Sequence, residues 1–280
     1  MNIAVSTGVL YQETFQKTLE LIKKAGFDYI ELLTYWYSID DKWEIGSNLK
    51  KMSPGDVLTM IKDSGLKISS LHDSGGIIYS EACTLISEST YNFLEYAANE
   101  IPCIVLHTPQ KKTFKSTWWK KECSIYGNEM KELGKKTLVC IENVIEGYGH
   151  SVSMMKPKEL LEFATEYEIY VNVDTSNFMQ SGIDITEAAR ILKDRVKTVH
   201  LSDYARGEPY MFIGDGSLDF QNFFDTLDIS ILHSVTLECK LDYNYFQDGY
   251  EEYIVKRLKM AKLIMESLMR QTNRYHYKGY

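Results

Sequence analysis

Along this 280-residue chain, seven short apolar or β-branched runs each carry a side chain that can hold a metal ion or move a proton. They are YIELL with Glu31, KISSLH with His72, CIVLH with His107, TLVCIEN with Glu142, YVNVD with Asp174, KTVHLSD with His200 and SVTLECK with Glu238. Four of these, Glu142, Asp174, His200 and Glu238, form a mostly carboxylate set with one imidazole. That set suits one hard or borderline divalent ion: Mn2+, Mg2+ or Co2+, with Zn2+ also admitted. Four protein ligands around a six-coordinate ion leave room for substrate oxygens, so the ion can polarise a carbonyl and the hydroxyl beside it. The blander reading, buried polar side chains satisfied by hydrogen bonds, fits one such residue easily and four at matching strand ends poorly. His72 and His107 either contact substrate or donate to a neighbouring carboxylate. Glu31 reads as an acid that supports a neighbour, and Lys240, on the same face as Glu238, as a strand-end lysine reaching solvent.

These side chains can meet only if the runs that carry them end on one face. With NIAVS (2–6) there are eight strand candidates, separated by amphipathic segments of helical length. ETFQKTLELIKKAG closes on Gly26, and PGDVLTMIKDSG opens on Pro54 and closes on Gly65, start and stop signals that fall just before the next strand. The last segment spaces Ile254, Leu258, Ala261, Met265 and Leu268 as one helical face. Strands alternating with helices require crossover connections and parallel pairing. Eight such units predict an α/β protein, a (β/α)8 TIM barrel forming a single domain over 1–280, with 271–280 as a partly ordered tail. No GxGxxG follows the first strand and no Walker lysine loop occurs, which argues against a doubly wound nucleotide-binding sheet. In a barrel the carboxyl ends of the strands converge on one mouth. Positions two apart then share a face: Thr198, His200 and Ser202, or Thr236, Glu238 and Lys240, with Val173, Val199, Leu201 and Leu237 turned to the helices.

Composition narrows the partners. A net charge of −8 disfavours nucleic acid, whose phosphates are held by clustered Lys and Arg. Five cysteines without CxxC pairing fit a reducing compartment, and no run is long and apolar enough to span a bilayer. A cytoplasmic protein is expected, with no membrane partner and with homo-oligomerisation left open. Lys111, Lys112 and Lys115 are candidates for holding a substrate phosphate. The aromatic loop TYWYSIDDKW (34–43) and the pair Trp118 and Trp119 serve either as sugar-stacking walls or as plain packing.

The stretches VCIENV, VNVDTSN, KTVHLSD, FIGDGSLDF (212–220) and VTLECK, in this order and spacing, resemble the xylose-isomerase-like superfamily of sugar isomerases and epimerases over essentially the whole chain. By that resemblance Glu142, Asp174, His200 and Glu238 hold the metal, and Glu142 and Glu238 also transfer protons. The resemblance implies an enzyme of carbohydrate metabolism that isomerises or epimerises a small-molecule sugar or sugar phosphate through an enediolate, the carbon between the metal-polarised oxygens losing and regaining a proton. Arg206, six residues beyond His200, matches a substrate-contacting arginine. Asn177 stands where the epimerases carry a histidine and can still hydrogen-bond a substrate hydroxyl. Tyr148, with Glu146 nearby, stands where they carry a glutamate. The superfamily also contains dehydratases, and the related endonuclease-IV-like phosphodiesterases bind three zinc ions. Those need an imidazole at the Asn177 position and a D-x-H element where this chain has Glu208 and Tyr210. A barrel that binds a sugar without turning it over is the non-enzymatic alternative.

Overall fold

The structure, a computed structural model, describes residues 1–34, 52–73, 77–78, 86, 88–111, 119–145, 156–243 and 247–276. Eight strands close a parallel barrel: β1 (Asn2–Ser6), β2 (Tyr29–Leu33), β3 (Lys67–Asp73), β4 (Cys103–His107), β5 (Leu138–Glu142), β6 (Tyr170–Asp174), β7 (Val196–Leu201) and β8 (Ser234–Leu237). Each falls on one of the eight expected runs, and β8 pairs with β1 to close the circle.

The first two helices begin and end as their sequences require. Helix α1 (Phe15–Lys24) is capped by Thr14, whose side chain accepts from the Lys17 N–H, and Lys23 and Lys24 in its last turn face the negative end of the helix dipole. Helix α2 (Pro54–Asp63) starts on a Ser53–Asp56 capping box with Pro54 in its first turn. Gly26 and Gly65 follow these helices at φ +87° and +72°, where a side chain would strain the backbone. Helices α3 (Glu88–Ala97), α4 (Trp119–Leu133) and α5 (Pro157–Glu166) continue the outer ring.

Short elements interrupt the regular alternation: Ile77–Ile78 after β3 pairs in parallel with Gln110–Lys111 after β4, and others follow β6 and β7. A short helix α6 (Thr175–Gln180) follows β6 directly, ahead of the crossover helix α7 (Ile185–Leu192). After β7, an antiparallel hairpin pairs Asp203–Ala205 with Glu208–Met211. Helices α8 (Phe220–Thr226) and α9 (Tyr250–His276) complete the ring. Ile254, Leu258, Ala261 and Met265 are buried along α9, but the stripe continues at Met269 instead of the half-buried Leu268, because the last step takes four residues and not three. Since α9 runs to His276, the first six residues of the expected tail are helical; 277–280 lie outside the described residues.

The main apolar core lies between strands and helices. Val173, Val199, Leu201 and Leu237 belong to it and are fully buried; each such side chain contributes roughly 1.5–3 kcal/mol. Inside the barrel a smaller cluster of Cys103, Val105 and Cys140 fills the space between β4 and β5. The parallel register aligns the strand ends: Asp174 lies opposite His200, His107 opposite Glu142, and the Glu238 N–H donates to the carbonyl of Leu201.

Candidate active site

Glu142, Asp174, His200 and Glu238 converge at the carboxyl-terminal mouth, each presenting one ligand atom within 4.8 Å of the others. The first three are buried and Glu238 is half-buried, so the cluster opens on the Glu238 side. Four atoms define it. Oε2 of Glu142, Oδ2 of Asp174, Nδ1 of His200 and Oε2 of Glu238 are buried and make no hydrogen bond among the described residues. Nδ1 of His200 is 2.5 Å from Oε2 of Glu238 and 3.1 Å from Oε2 of Glu142, close contacts that lack hydrogen-bond alignment. Leaving one buried polar atom unsatisfied costs about 1–3 kcal/mol. Four such atoms aimed at one region fit a divalent cation, which would satisfy them together.

The opposite side of each ligand is tied down. Nε2 of His200 meets Oε2 of Glu31 at 3.0 Å, and the Ser70 hydroxyl donates to the same oxygen at 2.7 Å. Glu31 therefore acts on the imidazole and turns Nδ1 to the cluster, the support its position in YIELL suggested. Asp174 is held at three points. Its backbone N–H donates to Oδ1 of Asn143 at 2.8 Å, its carbonyl accepts from Nδ2 of Asn143 at 3.0 Å, and its Oδ1 accepts from the Asn177 N–H at 2.7 Å. This last bond makes Asp174 the N-cap of α6, leaving Oδ2 for the cluster. Sequence reasoning missed both Asn143 and the cap, although D-T-S-N directly after a strand is a capping signal.

The segments after β6 and β7 are stitched together by hydroxyls. The Thr175 hydroxyl donates to the Ser202 carbonyl at 2.7 Å, Ser202 Oγ to Ser176 Oγ at 2.9 Å, and Ser176 Oγ to the Asp203 carbonyl at 3.0 Å. Asp203 in turn organises the FIGDGSLDF loop. Its two oxygens accept from the backbone N–H groups of Tyr204, Gly214, Gly216 and Leu218 at 2.9–3.1 Å. A Cβ on Gly216 would lie 2.3 Å from Oδ1 of Asp203, so this glycine is required for the approach.

His72 and His107 complete the floor of the site. Nε2 of His72 lies 3.1 Å from Nε2 of His107 and 3.2 Å from Oε2 of Glu142, and its Nδ1 is 3.6 Å from both Glu31 and Glu238. Asn177 is buried and touches Glu142. Arg206 is exposed at the turn of the hairpin, and no hydrogen bond or ion pair ties it to the cluster. Lys240 is exposed, as a strand-end lysine is expected to be, with Nζ 5.6 Å from the centre of the Tyr210 ring. Residues 35–43 of the aromatic loop, Lys112, Lys115, Trp118, Glu146 and Tyr148 lie outside the described residues, and of Lys111 and Trp119 only the backbone is described.

The electrostatics follow from crowding acids around imidazoles without solvent. Burial alone would raise Glu31, but His200 and His72 more than offset it and hold the carboxyl at about 2. For Glu142 the same imidazoles again outweigh burial and keep it well below the ordinary range. Asp174 goes the other way, raised by burial and by the charges of Glu142 and Glu238. Burial would lower both His72 and His200; the surrounding carboxylates raise His72 to about 10 and His200 well above its ordinary value. His107 is pulled down to about 4 by burial, aided by the charge of His72.

No protein-family model matches the chain, and no curated protein matches it in sequence. Solved structures match closely in shape. The chain is similar to an L-ribulose 3-epimerase at 16% identity and TM-score 0.67, over 99% of this chain and 97% of that one. It is similar to a xylose isomerase domain protein from Alicyclobacillus acidocaldarius subsp. acidocaldarius at 14% identity and TM-score 0.66, over 98% and 99%. It is also similar to 3-keto-D-glucoside 4-epimerase from E. coli at 16% identity and TM-score 0.68, over 94% and 99%. The chain thus shares the (β/α)8-barrel fold of these proteins over nearly its whole length. No helix among the described residues is long and apolar enough to cross a membrane.

Proposed function

We propose that this protein is an enzyme, a divalent-metal-dependent isomerase or epimerase of a sugar or sugar phosphate. The observation that carries the reading is the set of four buried, unbonded ligand atoms from Glu142, Asp174, His200 and Glu238, converging at the mouth of an epimerase-like barrel. Mn2+, Mg2+ or Co2+ suits this oxygen-rich set, and Zn2+ remains compatible with it. When bound, the ion would act as a Lewis acid on substrate oxygens and so acidify the carbon between them.

The protein's own residues supply the proton chemistry. Glu142 is ionised and buried, the state a general base needs, and Glu238 lies across the cluster on its open side. One carboxylate removes the proton from the activated carbon to give an enediolate. The other, in its protonated form, returns a proton, and the carbon that receives it decides between epimerisation and isomerisation. His72, His107, Asn177 and Arg206 are the proposed substrate contacts. Asn177 and Tyr210 occupy positions where a trinuclear phosphodiesterase needs imidazoles, which favours the sugar reading.

The test is proton exchange. A panel of ketoses and aldoses, plain and phosphorylated, is incubated in D2O with Mn2+ and followed by proton NMR. Solvent deuterium should enter one substrate carbon with the wild type and not with Glu142→Gln or Glu238→Gln. Exchange that survives both substitutions, or no exchange with any sugar, would overturn the assignment; loss of water from a polyol or cyclitol substrate would redirect it to a dehydratase.

A further inference from the structure

Tyr210 is a conformational outlier placed beside this cluster. Its φ is +57°, a left-handed region that bulky residues rarely enter. Such strain persists where the surroundings over-determine it, and it concentrates at functional sites. Three hydrogen bonds fix Tyr210. Its N–H donates to Ser176 Oγ at 3.0 Å, its carbonyl accepts from the Lys240 N–H at 2.7 Å, and its hydroxyl donates to Oδ1 of Asn177 at 2.6 Å. Its backbone therefore bridges the segment after β6 and the segment after β8, two strands that bring Asp174 and Glu238 to the mouth.

The Asn143 carbonyl and the Tyr210 hydroxyl together hold the Asn177 amide. The Asn143 carbonyl, 2.9 Å away, can only accept, so Nδ2 of Asn177 must face it and Oδ1 must face Tyr210. In that orientation Nδ2 also reaches Oε1 of Glu142 at 3.5 Å, while the Asn177 N–H holds Oδ1 of Asp174. One residue thus restrains the outer oxygen of two acids and leaves their inner oxygens, Oε2 and Oδ2, at the cluster. A flipped amide would set its oxygen against Glu142 and the Asn143 carbonyl, a repulsive arrangement, and the Tyr210 hydroxyl anchors the favoured one by donating to Oδ1.

We propose that Tyr210 is a positioning residue of the metal centre: acting through the Asn177 amide, it holds Glu142 in ligating orientation and makes the hairpin after β7 part of the site. This inference rests on the reading of the cluster as a divalent metal site.

The experiment measures Mn2+ affinity of the whole chain by equilibrium dialysis and calorimetry for wild type, Tyr210→Phe, Asn177→Ala and the double variant. The Phe variant keeps the ring and lacks only the donor. Outer hydrogen-bond partners of metal ligands typically govern about 10–100-fold in affinity, and a loss in that range is expected for Tyr210→Phe with melting temperature unchanged. Because the effect passes through Asn177, Tyr210→Phe should alter affinity by less than about twofold in the Asn177→Ala background. Should Tyr210→Phe not fold, Asn177→Ala alone must show the same 10–100-fold loss. Wild-type affinity in Tyr210→Phe, or an equal loss in both backgrounds, overturns the inference alone. A wild type that takes up no Mn2+ overturns the metal reading and the inference together.

Discussion

Nε2 of His200 lies 3.0 Å from a carboxylate oxygen of Glu31, although the two residues are 169 positions apart. One ring nitrogen is committed to an acid on β2, so the other faces Glu142 and Glu238. Were His200 to hold a metal through Nδ1, this relation would place its proton on Nε2 and its lone pair on Nδ1.

Replacing Glu31 by Gln keeps the shape and removes the charge that orients the ring. Mn2+ affinity should fall about 10–100-fold while the fold is retained. Circular dichroism and equilibrium dialysis on the same preparation check this; unchanged affinity would show that Glu31 does not act on the ligand.

Metal uptake should release protons. Asp174 is raised by burial and by the charges of Glu142 and Glu238, and His200 by the carboxylates around it, so both hold a proton more readily than free side chains. A cation must displace those protons, and affinity therefore rises with pH. Calorimetry in buffers of different ionisation enthalpy should show net proton release on binding. Identical heats in all buffers would refute the assignment.

Stability of the metal-free protein should fall on both sides of neutrality. His107 sits near 4 in the fold against 6.5 unfolded, so as pH drops through that interval only the unfolded chain gains its proton and stability declines. Glu31, lowered from 4.5 to about 2, adds stability that is present above 4.5 and lost as pH falls through about 2. His72, raised from 6.5 to about 10, contributes stability that is complete below 6.5 and lost as pH rises through about 10. Urea midpoints measured against pH should show these slopes, and His107→Asn should flatten the one between 6.5 and about 4. A slope there that His107→Asn leaves unchanged belongs to another group.

Gly216→Ala should destabilise the loop that Asp203 organises. A Cβ placed 2.3 Å from Oδ1 of Asp203 must displace the carboxylate that accepts four backbone N–H groups. Overpacking of this kind costs about 1–3 kcal/mol. Urea unfolding reads the loss, and a variant as stable as wild type would mean that the loop can shift freely.

The sequence by itself determined the barrel and which acids and imidazoles gather at its mouth. Alternation of two fixes which residues of a strand face inward, and helical spacing fixes which face of a helix is buried. YVNVD and KTVHLSD therefore place Asp174 and His200 at the mouth without any knowledge of the fold around them. What neighbours a ligand across the barrel is not written in local periodicity. Glu31 reaching His200, Asn143 clasping Asp174 and Tyr210 gripping Asn177 each join segments distant in the chain, through side-chain directions that only the closed barrel sets. The hairpin after β7 carried a signal in Arg206-Gly207, but the left-handed turn of Tyr210 carried none. Its conformation is imposed by partners on two other segments, and that is a property of the tertiary structure alone.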